Sequence, residues 1–416
     1  MKRRELVQLA GLSAAGLLVG CNSQNETADK SALQEQVGVD EPVKWAMVTT
    51  WPKDFPGLGT GANYLAEVIG KLSGGRIEVT VYGAGEKVAA LDVFDAVSSG
   101  KAELGHGVSL YWRDRIPAAQ FFAAVPFGMT AQEMNSWLYH GGGLELWHEV
   151  YAPYNLIPGA AGNTGVQMGG WFNKEIESLN DLVGLKMRMP GLGGEVLKRA
   201  GGIPVLIPGG EIYGALLSGE IDATDWVGPH NDMASGLYKA ARYYYYPGWH
   251  EPGTTQECFI NKDAYEALPE DLREIVSYAI RIANQDMLAD FTARNNEALE
   301  ELVTQHNVEL RRFPDTVLRE LKQLSEQVVA ELAGKDPVTK KIYREFDRFR
   351  RQTQRWHRHR RRHLGQRRRR RLLRHQRCLT TQGPPPPPPA ARPRAMPGPL
   401  RCTAPRSGGE GTRSGC

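Results

Sequence analysis

Lys44-Trp45-Ala46-Met47-Val48-Thr49-Thr50-Trp51, then Tyr64-Leu65-Ala66-Glu67-Val68-Ile69-Gly70-Lys71-Leu72, then Arg76-Ile77-Glu78-Val79-Thr80-Val81-Tyr82, carry the architecture in their pattern. The outer runs are rich in β-branched and aromatic residues and read as strands; the middle run carries apolar residues at helical spacing. Strand, helix, strand is a crossover unit, and it implies a parallel sheet. A further helix, Val88 to Ser98, stops at Gly100 in a C-cap pattern and leads to an apolar strand near Leu104.

A partial echo lies farther along. Ala96-Val97-Ser98-Ser99-Gly100-Lys101-Ala102-Glu103 and Ala215-Leu216-Leu217-Ser218-Gly219-Glu220-Ile221-Asp222 share one plan: helix, Ser-Gly stop, then a strand carrying an acid. The expected fold is α/β, two similar lobes with mixed, mostly parallel sheets around a ligand cleft. Residues 42–162 form the first part of lobe I and 163–253 form lobe II. Lobe II has strands at Val166 to Phe172, Leu185 to Pro190 and Ala223 to Val227. Residues 254–354 supply a return strand, Glu257 to Asn261, a long helical spine from Ala264 to about Gln305, and C-terminal helices. Ligands of open α/β sheets sit at the carboxyl ends of strands, so a cleft between lobes collects residues from both.

The two ends read differently. Lys2, Arg3 and Arg4 precede an apolar stretch from Leu9 to Gly20, the pattern of a secretory signal and too short for a permanent membrane helix. It ends Leu18-Val19-Gly20-Cys21, which resembles a bacterial lipobox, so residues 1–21 are expected to be a lipoprotein signal and 22–41 a polar tether. The twin arginines also give weak twin-arginine export character. Residues 355–416 hold seventeen Arg, no Lys, Glu410 alone as an acid, and a run of six prolines, Pro384 to Pro389. Removing that segment's +16 from the whole-chain +4 leaves −12 for the rest, so the body is acidic. Three accounts of the tail stay open: out-of-frame translation, which is preferred, a disordered tail, or a nucleic-acid arm. Cys258 is alone in the body, so the fold relies on its apolar core rather than a disulfide.

The chemistry centres on two places. Arg188 ends an apolar strand just before Pro190-Gly191; its guanidinium suits either a planar carboxylate or a surface acid. Asp225-Trp226 ends another strand before Gly228-Pro229, where the acid can ligate a hard cation and the indole form an apolar wall, or both can be structural. His106, His140, His148, His230 and His250 show no metal-site spacing, and no nucleophile elbow or phosphate loop occurs. Gly141-Gly142-Gly143 reads as a bend between helices. A carboxylate-processing enzyme on the same two lobes is the alternative from a different class.

Val48-Thr49-Thr50-Trp51-Pro52, Tyr82-Gly83-Ala84-Gly85-Glu86, Trp137-Leu138-Tyr139-His140-Gly141-Gly142-Gly143-Leu144-Glu145-Leu146, Gly184-Leu185-Lys186-Met187-Arg188 and Trp226-Val227-Gly228-Pro229 together resemble the extracytoplasmic binding proteins of tripartite ATP-independent periplasmic (TRAP) transporters. The likeness runs from about Val43 to Gln354 and is greatest to the subgroup that binds 2-oxo acids or lactate with a metal ion. It implies that the protein is not an enzyme and that Arg188 clamps a ligand carboxylate. It implies also that Gln167, Asp225 with the Trp226 backbone carbonyl, and Glu251 surround a sodium or calcium ion. Gln167, Trp226, Asn163 and Tyr111 become ligand contacts. Members usually carry Glu before the Trp, so Asp225 is a shortened ligand. The resemblance further implies a sodium-driven membrane permease as partner and leaves a homodimer open; the lipobox-like end makes the expected location the periplasm, with the membrane reached through the lipid, and no nucleic acid is expected, since that reading rests on the tail alone.

Overall fold

The structure, a computed structural model, describes residues 41–357. The expected signal, all but the last residue of the tether, and the tail beyond residue 357 lie outside the described residues.

Strands β1 (Val43–Thr49), β2 (Ile77–Tyr82), β3 (Leu104–Gly107), β4 (Leu156–Asn163) and β10 (Thr255–Asn261) form one sheet, in the order β2-β1-β3-β10-β4. Strands β5 (Gly170–Phe172), β6 (Lys186–Arg188), β7 (Ile203–Val205), β8 (Ala223–Thr224), β9 (Tyr243–Tyr246) and β11 (Glu309–Arg312) form the other, in the order β11-β9-β5-β8-β6-β7. Parallel pairings outnumber antiparallel ones only slightly, five to four.

The sheets repeat one plan. The parallel trio β2-β1-β3 is matched by β7-β6-β8, each followed by an antiparallel strand, β10 or β5. Each of those strands is the first one after the chain has crossed between lobes. The sequence echo is part of this repeat. The helices Val93–Ser98 and Ile212–Ser218 both end at glycines in the left-handed region, Gly100 at φ 75° and Gly219 at φ 76°. The echoed acids do equivalent work: Glu103 Oε2 accepts from the Ala46 backbone N–H at 2.7 Å, and Asp222 Oδ2 from that of Lys186 at 2.9 Å.

Alternation along β1 covers its sheet on both sides. Trp45 and Met47 face Leu65 and Ile69 of the helix Leu58–Leu72 and Val276 and Ala283 of the long helix Glu270–Thr304. Val48 belongs to the opposite layer with Phe94, Trp137 and Trp147. In that layer Phe122 is stacked between Trp137 (centroids 5.5 Å apart) and Trp147 (5.1 Å). The glycine triplet makes the bend between Ala131–His140 and Gly143–Tyr151: Gly142 sits at φ 83°, and a Cβ on Gly143 would come within 2.8 Å of the Trp137 ring.

Several expectations need correction. The spine is not one helix from Ala264 but two, Lys262–Glu266 and Glu270–Thr304, separated at Leu268-Pro269, because proline lacks an N–H and pushes the preceding residue out of helical geometry. After the spine the chain returns to the second sheet as β11, beside β9, so residues 254–354 are not confined to lobe I and the helices. Its sequence, Glu-Leu-Arg-Arg, is that of a charged edge strand, with little apolar signal to read. The strand expected at Val166 to Phe172 pairs only over Gly170–Phe172, and that at Ala223 to Val227 only over Ala223–Thr224. The remainder of each turns out of the ladder into the cleft.

Candidate functional site

β6 and β8 are adjacent and parallel, with Arg188 opposite Thr224. Their carboxyl ends therefore deliver Arg188 and Asp225 to the same place, and the Asp225 N–H still donates to the Arg188 carbonyl at 2.9 Å. The two segments that cross between lobes run beside each other and bring in the rest. Thr164 N–H donates to Thr254 O (3.0 Å), Gln167 N–H to Glu251 O (3.2 Å), and Gly248 N–H to Gln167 O (3.0 Å). The approach demands glycine at 248, where a Cβ would lie 2.1 Å from the Gln167 carbonyl oxygen.

Arg188 is buried at 1% exposure, a burial that charge requires to be compensated. Its Nη1 donates to Asp225 Oδ2 and to the Asp225 carbonyl (both 3.2 Å), Nε to the Ile207 carbonyl (3.3 Å) and Nη2 to Tyr111 OH (3.2 Å). The guanidinium also lies over the Trp226 ring, 5.3 Å from its centroid. Much of the fork is thus occupied within the protein, and Nη2 with the Tyr111 hydroxyl forms the polar end of the cavity wall.

That cavity, narrow and partly open to solvent, is lined by Arg188, Tyr111, Gln167, Trp226 and Glu251 from the expected set. Trp51, Leu58, Val108, Leu110, Pro190, Val227, Thr254 and Gln256 complete it. One end is polar and the other apolar, the build of a small-molecule site. Trp51 is held by its Nε1–H donating to His106 Nδ1 at 2.9 Å; burial pushes His106 down to about 3, leaving it a neutral acceptor.

Asp225 stands behind Arg188. Its Oδ1 is 3.0 Å from His250 Nε2 but off the hydrogen-bond direction, and both atoms are without a hydrogen-bond partner. Donor atoms of Asp225, His250 and Glu251 lie within 4.8 Å of one another, all three residues buried. Gln167 donates through Nε2 to Thr164 and Thr254 Oγ1 (both 3.2 Å), while its Oε1 has no partner; the Thr254 hydroxyl donates to Glu251 Oε2 at 2.6 Å. Burial first, then the Asp225 charge, raises Glu251 to about 7. Burial alone would lower His250, but Asp225 and Glu251 together outweigh it and raise it. Burial, helped by Glu251 and Asp225 against Arg188, raises Tyr111.

Arg188 and His250 both face Asp225, which leaves Glu251 as the acid without a cationic partner of its own; when it is ionised, a cation beside it favours an anionic ligand. Gln167 Oε1, which has no hydrogen-bond partner, and the Asp225 and Glu251 carboxylates beside it are hard oxygen donors of the kind sodium or calcium takes. The residues fit such an ion.

Of the expected contacts, Asn163 is the one not brought to the cavity. Its Oδ1 accepts from Gly165 N–H (2.9 Å) and its Nδ2 faces Gly253 O and Thr255 Oγ1 (both 3.4 Å), so it ties the two crossing segments together. His250 was missed because its partner Asp225 is remote in sequence; the signal was its place beside Glu251, within Trp249-His250-Glu251-Pro252.

The model of the family DctP, bacterial extracellular solute-binding protein, family 7, matches residues 47–336. The chain is 42% identical over 359 residues to the monocarboxylate 2-oxoacid-binding periplasmic protein of a Nostoc species, covering 86% of this chain and 96% of the relative. It is similar to the crystal structure of a TRAP periplasmic solute-binding protein from Colwellia psychrerythraea with bound calcium and pyruvate (TM-score 0.74, 40% identity, 76% of this chain and 96% of that one). It is equally similar to one from Pseudoalteromonas atlantica with bound sodium and pyruvate (TM-score 0.74, 41% identity, the same coverage). With the family model spanning most of the body and a relative this similar over nearly its whole length, the chain belongs to the DctP family of bacterial extracellular solute-binding proteins, family 7.

Proposed function

We propose that the chain captures a small 2-oxo or 2-hydroxy monocarboxylate of the pyruvate or lactate kind, together with a sodium or calcium ion, for delivery to a TRAP membrane permease. The observation that carries this reading is the buried meeting of Arg188, Asp225, His250 and Glu251 at one end of the cavity, where the carboxylates and the unpartnered Gln167 Oε1 offer hard oxygen donors to a cation beside an arginine suited to an anion. The names of the similar proteins support the choice of acid and ion.

Arg188 Nη2 and Tyr111 OH would meet the carboxylate, with the apolar wall of Trp51, Leu58, Val108 and Trp226 around the short side chain. Gln167 Oε1, Asp225, Glu251 and the Trp226 carbonyl would hold the cation. A bound ion supplies positive charge to the paired acids and a hard acceptor for the ligand's oxygens. The protein's own work is then binding and closure of two lobes, with no proton transfer asked of any side chain. Calorimetric titration with pyruvate and lactate, in sodium, calcium and chelator buffers, tests it. Saturable binding that requires the cation is the expected result; binding unaffected by chelator and sodium removal removes the metal from the reading.

The lipobox-like Leu18-Val19-Gly20-Cys21 supports a mature protein anchored in the periplasm by a lipid on Cys21. Mass spectrometry of the native envelope protein decides it: an intact Met1 terminus contradicts the anchor.

A further inference from the structure

We propose that Arg113 is a latch that holds the two lobes closed, setting how long the ligand stays without touching it; this rests on the binding-and-closure reading above. The turn Ser109–Trp112 of lobe I carries Tyr111, whose hydroxyl meets Arg188, and Trp112, whose Nε1–H is fastened to buried Glu257 at 2.5 Å. The next residue, Arg113, reaches across to lobe II. Its Nη1 donates to the Gly191 carbonyl at 3.0 Å and to Glu195 Oε1 at 3.1 Å. Gly191 and Glu195 belong to the helix Gly191–Arg199, which starts three residues after Arg188 on the same strand-to-helix joint.

One turn of lobe I therefore grips both sides of the joint that presents the carboxylate-binding arginine: Tyr111 from within the cleft, Arg113 from outside it. The lobes are in close contact between these two points, where a Cβ on Gly191 would be 3.3 Å from Leu110 Cβ. When the lobes part, Tyr111 and Arg113 must release together, because Trp112 anchors their shared turn to the core of lobe I. Arg113 is absent from the lining of the ligand cavity and lines a separate polar crevice with Glu195, Arg199 and Glu331. Its side chain is 31% exposed and that of Glu195 44%, so the contact is reachable by salt.

The test is stopped-flow binding of pyruvate in saturating calcium or sodium. Arg113→Ala should leave kon within about twofold, because the open protein meets the ligand unchanged, and raise koff roughly five- to twenty-fold, the scale of one exposed ion pair plus one charge-assisted hydrogen bond. Arg113→Lys, with a single ammonium for two acceptors, should fall between. The ligand-free melting temperature should match the parent's, which separates a latch from a merely structural role. An unchanged koff in Arg113→Ala, or an equal loss of stability with and without ligand, overturns the latch while leaving the function intact. A parent protein that binds no 2-oxo acid in either ion overturns the function, and the latch with it.

Discussion

Arg188 and Asp225 are mutually compensating charges, and their substitutions should separate. Arg188→Met removes the ligand's countercharge and leaves Asp225 buried without its partner. The expected loss of pyruvate affinity is about 3–5 kcal/mol, a few hundred-fold or more; calorimetric affinity equal to the parent's would remove the centre of the site. Asp225→Asn keeps an oxygen donor but no formal charge, so binding should weaken less, and chiefly through lower cation affinity. Glu257 makes a prediction away from the cleft. It is fully buried between the Trp112 indole and the Tyr151 hydroxyl (2.8 Å), and burial raises it from the ordinary 4.5 to about 8. The folded state then binds a proton that the unfolded state releases, so stability should fall as pH rises from about 4.5 to about 8, by up to about 1.4 kcal/mol per unit. Urea midpoints at pH 5 and 8 should drop more for the parent than for Glu257→Gln, which mimics the neutral acid; identical drops would contradict the buried-proton account.

At the scale of elements, glycines discriminate between close packing and open helix. Gly143 begins the second helix of the bend, where a Cβ collides with the Trp137 ring, itself stacked on Phe122. Gly143→Ala should cost about 1–3 kcal/mol through overpacking. Gly214 lies within the helix Ile212–Ser218, with nothing within 4 Å of the position that an added methyl group would take. Gly214→Ala should therefore stabilise by about 0.5–1 kcal/mol, through helix propensity and a less free unfolded chain. Chemical denaturation of both variants checks the pair, and changes of the same sign would show that the packing contrast is misplaced.

For the whole molecule, binding that joins two lobes must appear as linkage between ligand, ion and stability. Pyruvate at about a hundred times its Kd should add about 2.7 kcal/mol to the folded state, raising Tm by roughly 5 °C for a body of this size. Chelator, in sodium-free buffer, should abolish most of that shift while changing the ligand-free Tm little. A full pyruvate shift without any cation would show that Arg188 and Tyr111 suffice alone.

Local pattern carried much of this far. The β1 alternation, the helical period of Leu65 and Ile69, and the Ser-Gly stops before Glu103 and Asp222 are short-range signals, each set by which faces of one element must be buried. They determined the crossover units and the doubled plan, and the strand-end positions of Arg188 and Asp225 marked two of the site's charges. Family likeness added Gln167 and Glu251, which no local pattern singles out. Meetings between remote segments came from the folded chain alone: β10 beside β3, β11 beside β9, His250 against Asp225, and Arg113 across the cleft to Glu195. The physical reason is that periodicity reports the burial of a face without saying what buries it. Partners for a charge or a sheet edge are chosen by the way the chain passes twice between its lobes.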